Sequence, residues 1–469
     1  MITSNGVGAG HLIRTSAIAQ QVNRYARPVI LSMAYSVVEV ANALGFECEF
    51  IPGRDKKLMP NRYWDKYLCD RILALIDELE AKVVTFDGVV PYPGFLSAKL
   101  KRPEVTFIWI RRGMWQKQPH GVALGFQSRL VDLVIEPGDV AREYDFGPTR
   151  NRKEARLTSP VSLYKQDDAM KRDDARAFLG LPRDGSIVLI QMGVGAKDLD
   201  ERVSAILRGL SSWAGVQIVM PNEPKDREGT SLVPDGVSVT IIRHFPLAEV
   251  IHAFDGIICA AGYNSVHEVI PARIPSLLIA NNRGTDDQFA RARWCGDKEL
   301  TLYASTHSLQ DIEEKSAMLA DATLRQKLTR NCAAMTHFNG ANQIASIIHD
   351  QLFTNEESQS RNVMSLRNRF DKIFQRGIAY TVRRSMYILL WWASLVYRRL
   401  FPHKYQAGDQ GDIKISRSLK VDFLEPFIRG PHRLEHILAS GSKSYEAKRQ
   451  SIAKHAFRLS KNIGIVDID

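Results

Sequence analysis

Cysteine is scarce in this sequence, and no two cysteines are spaced as a pair. The chain has five cysteines among 469 residues, without a CxxC spacing and without a neighbouring histidine that would complete a zinc site. This pattern argues against a zinc-binding module and suits a protein of the reducing cytoplasm. The five are Cys48, Cys69, Cys259, Cys295 and Cys332.

Signals for export or for crossing a membrane are also missing. Residues 1–10 have neither a basic start nor an apolar run, so the sequence predicts no secretory signal. The apolar run at residues 386–397 is shorter than the ~20 residues that a transmembrane helix needs. We therefore expect a cytoplasmic protein without a transmembrane helix.

Nucleic-acid-binding signatures are absent although the chain is basic. The formal net charge is +11, yet residues 354–469 alone hold 21 Lys and Arg against 11 Asp and Glu. The rest of the chain is nearly neutral and contains no RNP-like, zinc-finger or helix-turn-helix pattern. The distribution argues against a nucleic-acid partner and indicates a basic, mainly helical extension over residues 354–469.

Within this extension, residues 383–399 combine basic and apolar side chains. Two arginine pairs enclose an apolar run that includes Trp391 and Trp392. This composition is typical of a segment that lies on an anionic membrane surface, which would make the protein peripheral on the inner face of the cell membrane. A helix packed on the body of the protein, or covering a dimer contact, explains the same pattern, and both interpretations stay open.

The rest of the chain alternates short apolar runs with helical patterns, which predicts parallel sheets with crossover helices. The pattern breaks over residues 147–176, where charged and turn-forming residues dominate, and then resumes. It therefore predicts two Rossmann-like domains, residues 1–160 and 161–353, with a cleft at the carboxyl edges of their sheets. The predicted strands are 28–33, 46–51, 82–86, 105–110, 133–135, 186–192, 216–220, 237–242 and 256–260.

A glycine-rich loop, GVGAGH at residues 6–11, lies between a very short strand and a helical run. Glycines let the backbone approach a ligand, and a helix amino terminus favours a phosphate or an oxyanion. The second strand ends without an acidic residue at 31–34, which argues against NAD, and no GxxxxGK[ST] sequence is present. A tight turn with a solvated His11 is the simple alternative.

A second segment, GYNSVHE at residues 262–268, combines small and turn-forming residues at the start of a predicted helix. Free backbone N–H groups at such a helix end suit a diphosphate. Glu268, one turn into the helix, could accept hydrogen bonds from two sugar hydroxyls. In the ordinary alternative, Asn264 or Ser265 caps the helix and Glu268 completes a capping box.

This segment continues into Pro275 to Ile279 and then into Asp286-Asp287-Gln288. The whole run resembles the donor-binding segment of nucleotide-sugar glycosyltransferases. Both the UDP-glycosyltransferases, with Gly-Trp-Asn-Ser-x-x-Glu and Asp-Gln, and the lipid-linked N-acetylglucosaminyltransferase of peptidoglycan synthesis share it. GVGAGH is similar to their acceptor loop, QMGVGA at 191–196 to the first loop of their second domain, and RHF at 243–245 to their nucleobase-contacting strand end.

The resemblance covers residues 1–353 and implies a GT-B fold, in which two Rossmann-like domains bind the acceptor and the nucleotide sugar. It implies that Gly262, Asn264 and Ser265 hold the diphosphate, that Glu268 holds the ribose, and that Phe245 borders the base. Asp287 and Gln288 would meet the sugar or the phosphates. Together with Arg14, which departs from the family pattern, the residues expected to bind the substrates are Gly8, Gly10, Arg14, Gly193, Phe245, Gly262, Asn264, Ser265, Glu268, Asp287 and Gln288.

Two departures from the family pattern stand out. The plant-type motif has a histidine at the position of Ala260, so the diphosphate would be held mainly by backbone N–H groups. The family's Gly-His-x-x-Pro reads Gly-His-x-x-Arg here, and the charge of Arg14 could meet a phosphorylated or acidic acceptor. UDP is the commonest nucleotide in these families, and the acceptor would be a hydroxyl of a lipid-linked sugar or of a polysaccharide.

Glycosyl transfer needs a base for the acceptor hydroxyl and stabilisation of the leaving diphosphate. His11 is the expected general base, and Asp87, at the end of strand 82–86, its orienting partner. A turn residue in Asp87-Gly88 is the simpler interpretation of Asp87. In the peptidoglycan-type relatives the same loop would make His11 a binder of the acceptor diphosphate. No metal or other cofactor is expected, because GT-B enzymes neutralise the leaving group with helix dipoles and side chains.

Two other functions remain open at this point. Nucleotide-sugar 2-epimerases share the fold and the donor, although the catalytic carboxylates that they need are not recognisable in this sequence. A non-catalytic sugar-nucleotide-binding protein or membrane scaffold would lack a base in the cleft, and His11 argues against it.

Overall fold

The computed structural model of the chain describes residues 1–4, 9–34, 36–54, 59–117, 124–125, 127–193, 198–221, 239–337 and 339–353. The basic extension, with the membrane segment expected at 383–399, lies outside the described residues.

The first half of the chain forms a seven-stranded parallel sheet in the order β3-β2-β1-β4-β5-β6-β7. The strand order reverses at the pair β1 and β4, and ligands of such sheets bind at the carboxyl ends of the strands at this reversal. The strands are β1 Ile2–Thr3, β2 Val29–Ser32, β3 Glu47–Phe50, β4 Val83–Asp87, β5 Thr106–Ile110, β6 Leu133–Pro137 and β7 Ala155–Thr158.

The second half forms a six-stranded parallel sheet in the order β10-β9-β8-β11-β12-β13. Its strand order reverses at β8 and β11, so the residues that follow these two strands occupy the corresponding ligand position. The strands are β8 Ile187–Gln191, β9 Gln217–Pro221, β10 Thr240–Ile242, β11 Gly256–Ala260, β12 Ser276–Ile279 and β13 Leu302–Ala304.

Helices connect several of the parallel strands, as crossover connections require, and the last three helices follow the final strand β13. They are α1 Gly10–Val22, α2 Val37–Leu44, α3 Asn61–Leu79, α4 Pro93–Lys101, α5 Arg172–Phe178, α6 Leu199–Leu210, α7 Tyr263–Val269, α8 Gln288–Asp297, α9 Leu309–Met318, α10 Ala322–Ala333 and α11 Gly340–Phe353.

The fold class predicted from the sequence, two Rossmann-like doubly wound sheets, is confirmed, and each predicted strand forms within three residues of its predicted ends. The predicted break over 147–176 is wrong in part, because β7 forms inside it. Arg156 and Leu157 of β7 are exposed, and an edge strand carries charged and exposed residues without the apolar run of a central strand.

The last described helix, α11, follows the second sheet in sequence but packs against the first. Its amino end meets the chain after β7, where the Gly340 N–H donates to the Pro160 carbonyl oxygen at 2.7 Å. Further along, the ring of His349 lies 4.9 Å from that of Tyr25, just beyond α1. One apolar cluster runs from Ile18 of α1 to Ile257 of β11, so the two sheets share a core. The domain boundary at residue 160 stays a prediction.

Candidate active site

His11 and Asp87 meet at the reversal point of the first sheet. Asp87 ends β4, and His11 is the second residue of α1, which follows the neighbouring strand β1. His11 Nδ1 lies 2.6 Å from Asp87 Oδ1, and the two residues are 8% and 0% exposed. The interpretation of Asp87 as a plain turn residue does not account for this contact. The two side chains that the sequence suggested as partners, His11 and Asp87, lie next to each other.

Arg14 completes this cluster from one turn further along α1. Its guanidinium grips both oxygens of Asp87, with Nε donating to Oδ2 at 2.8 Å and Nη2 to Oδ1 at 2.5 Å. Arg14 is 2% exposed, so it is turned into the protein and not toward solvent, unlike the acceptor-facing role expected from the sequence. Although burial opposes each charge, the pKa of Asp87 is lowered by Arg14 and His11, and the pKa of Arg14 is raised by Asp87.

The protonation state of His11 follows from its partners. A carboxylate can only accept, so the proton of a neutral imidazole lies on Nδ1 and is donated to Asp87. Burial lowers the pKa of His11, Asp87 raises it, and the nearby charges of Arg14 and Arg112 lower it further, with a net lowering. At neutral pH the ring is therefore uncharged, and Nε2 holds a lone pair that can take a proton.

The GYNS segment begins α7 directly after β11. Gly262 is the N-cap residue, and no side chain caps the helix. The capping-box alternative is therefore wrong: Asn264 donates instead from Nδ2 to the carbonyl oxygen of Gly10 at 3.1 Å. Among the described residues nothing accepts a hydrogen bond from the backbone N–H groups of residues 263–265. The amino end of α7 thus contacts Gly10, the first residue of α1 and the neighbour of His11, and its first amide groups have no acceptor among the described residues.

Glu268 lies on α7 as an acid without a partner. It is half-buried, and no described side chain or backbone group hydrogen-bonds to its carboxyl group. Burial raises its pKa to about 8. The oxygens of this carboxyl group are therefore available to a ligand, whereas the neighbouring carboxylates of Asp87, Asp139, Asp286 and Asp287 accept hydrogen bonds from within the protein.

Asp287 and Gln288, by contrast, make internal hydrogen bonds. The Asp287 side chain caps α8 by accepting from the Ala290 N–H at 2.9 Å. The Gln288 amide, 4% exposed, accepts from the Asn281 N–H at 2.9 Å and donates to Asp286 Oδ2 at 3.2 Å. Their expected contacts with the sugar or the phosphates stay a prediction.

Of the remaining residues expected at the substrates, the structure describes Gly193 and Phe245. Gly193 follows β8 with φ of +66°, a left-handed conformation that favours glycine. Phe245 is half-buried and packs against apolar clusters of both sheets, including the one that contains Leu12. Gly8 and most of the loop after Gly193 lie outside the described residues, and the contact of Phe245 with a base stays a prediction.

Sequence reasoning missed Tyr263, which joins the two halves of the site. Its hydroxyl donates to the Gly138 carbonyl oxygen and accepts from the Val161 N–H, each at 2.9 Å. The guanidinium carbon of Arg14 lies 5.1 Å from the centre of its ring. No local pattern marks these contacts, because the residues are more than one hundred positions apart in sequence.

A second cluster of buried charged side chains lies next to the GYNS segment, and sequence reasoning missed this cluster as well. Arg291 donates to Asp139 and Asp286 at 2.9 Å and to the carbonyl oxygen of Ala261, next to Gly262, at 2.8 Å. Arg112 Nη1 lies 3.6 Å from Asp286 Oδ2. These charges lower the pKa of Asp286 despite its burial. The cluster ties α7 and α8 to the loops that follow β5 and β6.

Backbone pairing reinforces this connection between the two sheets. Trp115, in the loop after β5, forms an antiparallel bridge with Asp286. The Gln116 N–H donates to the Thr285 carbonyl oxygen, and the Asp287 N–H to that of Met114, each at 2.9 Å. The neutral imidazole of His11 and the amino end of α7 thus lie in a region that both sheets contribute to, and amide groups of α7 and the carboxyl group of Glu268 have no partner among the described residues. This chemistry suits deprotonation of a hydroxyl and binding of a diphosphate.

In the part of the chain that the structure describes, no helix is long and apolar enough to cross a membrane.

No family model matches the chain. It is 25% identical over 376 residues to the UDP-N-acetylglucosamine–N-acetylmuramyl-(pentapeptide) pyrophosphoryl-undecaprenol N-acetylglucosamine transferase of Rhodococcus erythropolis, covering 75% of this chain and 94% of that enzyme. The enzyme of the same name from Mycobacterium tuberculosis is 25% identical over 310 residues, 63% of this chain and 72% of the enzyme.

Solved structures of two kinds share the fold. The glycosyltransferase of kitacinnamycin superposes with a TM-score of 0.52 and 14% identity, over 75% of this chain and 98% of that one. A protein from Listeria monocytogenes described as a UDP-N-acetylglucosamine 2-epimerase gives a TM-score of 0.52 and 12% identity, over 76% and 97%. At these identities the likeness shows the fold alone. The chain therefore has the GT-B fold and is a distant homologue of the bacterial N-acetylglucosamine transferases, within the nucleotide-sugar glycosyltransferase superfamily.

Proposed function

We propose that this chain transfers a hexosyl group from a UDP-sugar to an acceptor hydroxyl without a metal ion. The observation that carries the proposal is the contact between the amino ends of α1 and α7. Asn264 Nδ2 of α7 donates to the carbonyl oxygen of Gly10, the neighbour of His11 in α1, at 3.1 Å. A neutral histidine paired with a carboxylate and a set of spare amides thereby lie within one region.

The donor is proposed to bind at the second sheet. The spare N–H groups of residues 263–265 are suited to the diphosphate, because an uncapped helix end offers amide donors and partial positive charge. Glu268 is suited to the ribose, because its carboxyl group has no hydrogen-bond partner among the described residues. Phe245 is assigned to the base, and Asp287 and Gln288 to the sugar or the phosphates.

The proposed reaction is a displacement at the anomeric carbon. The acceptor hydroxyl gives its proton to His11 Nε2 as its oxygen forms the new bond to C1, and the bond from C1 to the UDP oxygen breaks. The electron pair of that bond leaves with UDP, and the amides of α7 stabilise the added negative charge. Asp87 stabilises the imidazolium that forms, as the carboxylate of a catalytic histidine does in other enzymes.

The acceptor is proposed to be lipid-linked. The homologues from Rhodococcus and Mycobacterium act, by their names, on a pyrophosphoryl-undecaprenol substrate, and the chain covers 94% of the former. Residues 383–399 have the composition of a membrane-surface segment, which suits a peripheral enzyme on the inner face of the membrane. Co-sedimentation of the full chain with anionic vesicles, but not with neutral ones, tests this part of the proposal.

The decisive assay incubates the purified full chain with a panel of UDP-sugars and a polyprenyl-diphosphate-linked sugar, in buffer with EDTA. We expect UDP release and a glycosylated acceptor detected by mass spectrometry. His11→Ala should lower turnover by about 10²- to 10⁴-fold while UDP affinity changes little. His349→Ala, a surface histidine on α11, is the matched control. A free epimer without an acceptor adduct would overturn the proposal in favour of an epimerase.

A further inference from the structure

Arg14 stands where the families that the sequence resembles have a proline, so their pattern gives it no role. One helical turn places it beside His11, and both side chains reach the same oxygen of Asp87. The second contact of Arg14, from Nε to Oδ2 at 2.8 Å, makes the interaction bidentate. A planar guanidinium that grips both oxygens of a buried carboxylate fixes the plane of that carboxylate.

We propose that Arg14 is a positioning residue, which holds Asp87 so that Oδ1 receives the Nδ1 proton of His11 and Nε2 stays free as the base. The proposal rests on the proposed function only for the identity of the hydroxyl that gives its proton to Nε2. The geometry itself consists of three buried side chains within hydrogen-bonding distance of one another.

Arg14 also sets the charge of the cluster during proton transfer. With neutral His11, the charges of Asp87 and Arg14 cancel, and protonation of His11 brings the cluster to a net charge of +1. Without Arg14 the same step would neutralise the cluster, which would favour the imidazolium. Together with burial and the nearby charge of Arg112, Arg14 therefore helps to keep the imidazole uncharged before the reaction, and it makes release of the proton easier afterwards.

The same guanidinium reaches the donor half of the site. It lies over the ring of Tyr263, the first residue of α7, at 5.1 Å. The Tyr263 hydroxyl is held on both sides by backbone groups, so the ring has a fixed position. Arg14 thus contacts both the carboxylate that orients the base and the helix that we assign to the diphosphate.

The test separates the charge of Arg14 from its geometry. Arg14→Met removes the charge at similar length, and Arg14→Lys keeps the charge but loses the bidentate grip. The imidazole of His11 is titrated by NMR in full-length protein with isotope-labelled histidine, and His11→Gln assigns its signal among the twelve histidines. Arg27→Met, in an exposed ion pair with Glu47 on the same sheet, is the matched control.

We expect the pKa of His11 to rise by about one unit or more in Arg14→Met and by clearly less in Arg14→Lys. The acidic limb of the pH profile of kcat should move upward with it in Arg14→Met, and kcat should fall in both variants. An unchanged His11 pKa in folded Arg14→Met would overturn the proposal and leave Arg14 a structural ion pair. If Arg14→Met fails to fold, an Arg14→Lys with wild-type kcat and pH profile overturns it equally.

Failure of this proposal and failure of the proposed function are distinguishable. The NMR titration needs no substrate, so a shift of the His11 pKa supports the role of Arg14 even if no sugar is transferred. Transfer by the wild type with an unmoved His11 pKa in the variants would uphold the function and remove Arg14 from it.

Discussion

Two carboxyl groups at the meeting edges of the two sheets are held in opposite ways. Asp87, on the first sheet, accepts hydrogen bonds from His11 and Arg14, and these partners outweigh burial and lower its pKa. Glu268, beyond the second sheet, has no hydrogen-bond partner among the described residues, and burial raises its pKa to about 8. The first group is ionised and fixed, and the second is protonated at neutral pH.

The difference matches the two roles that we propose for the two sheets, which are orientation of a base at the first sheet and binding of the donor at the second. A group that orients a base must be in place before the substrate arrives, because its value lies in preorganisation. A group that binds a ligand must instead keep its acceptors available, at the cost of stability in the empty protein. Under the proposed function, the first sheet thus carries a preassembled base, and the second carries a site that the donor completes.

The largest effect is expected from Asp87→Asn, which removes the carboxylate that His11 and Arg14 contact on the first sheet. The amide can no longer fix the Nδ1 proton of His11, and turnover should fall by about 10³- to 10⁴-fold. Arg14 would keep its buried charge without a carboxylate, which costs about 3–5 kcal/mol of unfolding free energy. Turnover and thermal unfolding are measured together, with UDP binding as the check that the second sheet is folded.

Asp77→Asn is the control for this substitution, because Asp77 pairs with Arg102 at an exposed position of the same domain. Turnover of Asp87→Asn within about tenfold of wild type would mean that the His11 contact is structural and not part of the reaction.

Glu268→Gln tests the proposed donor site beyond the second sheet. It should weaken UDP binding and raise the stability of the protein without ligand. Loss of one of the two carboxyl oxygens proposed to bind the ribose hydroxyls should weaken UDP binding by about 10- to 100-fold, measured by calorimetry. The empty variant should nevertheless be more stable than the wild type above neutral pH, because glutamine need not ionise.

The sign of this stability effect follows from the raised pKa. Between the ordinary pKa of 4.5 and about 8, the unfolded wild type has released the Glu268 proton and the folded protein retains it, so folding stability falls as the pH rises. The gap between variant and wild type should widen over this range to roughly 1–2 kcal/mol, allowing for partial exposure. A gap that stays constant with pH would show that Glu268 already has a stabilising partner.

The smallest effect is expected from Asp287→Ala, which tests whether Asp287 only caps α8 or also binds the donor. Removing the N-cap of α8 should cost about 1 kcal/mol of stability, and UDP affinity should change less than about threefold. Asp321→Ala removes the equivalent cap of α10 and is the matched control. A loss of affinity for UDP-sugar much larger than for UDP would assign Asp287 to the sugar and not to the phosphates, and equally small losses for both would remove it from the proposed donor site.

Much of the site was predictable because it follows strand ends. Ligand-binding residues of parallel sheets lie just beyond the carboxyl ends of strands, so glycine-rich turns after apolar runs led to His11, Gly193 and the start of α7. Asp87 was found in the same way, although its neighbour Gly88 suggested a plain turn. The strand β7 was missed, because an edge strand lacks the apolar run by which the others were recognised.

The roles of the charged residues depended on tertiary contacts. Arg14 was expected to face an acceptor, because a lone arginine after a glycine-rich loop has no visible partner in sequence. Its partner, Asp87, is 73 positions away and reaches it only because β4 pairs with β1. Tyr263, Arg291 and Arg112 gave no signal, since their partners lie on loops of other strands.

The sequence by itself therefore determined the two parallel sheets and the strand ends at which His11, the proposed base, and the start of α7 lie, because strand alternation and turn chemistry are local properties. Only the tertiary structure decided which charges are paired and which are left for a ligand. Pairing depends on burial and on contacts between residues far apart in the chain. Two acids that look alike in the sequence, Asp87 and Glu268, accordingly differ in pKa direction and in proposed role.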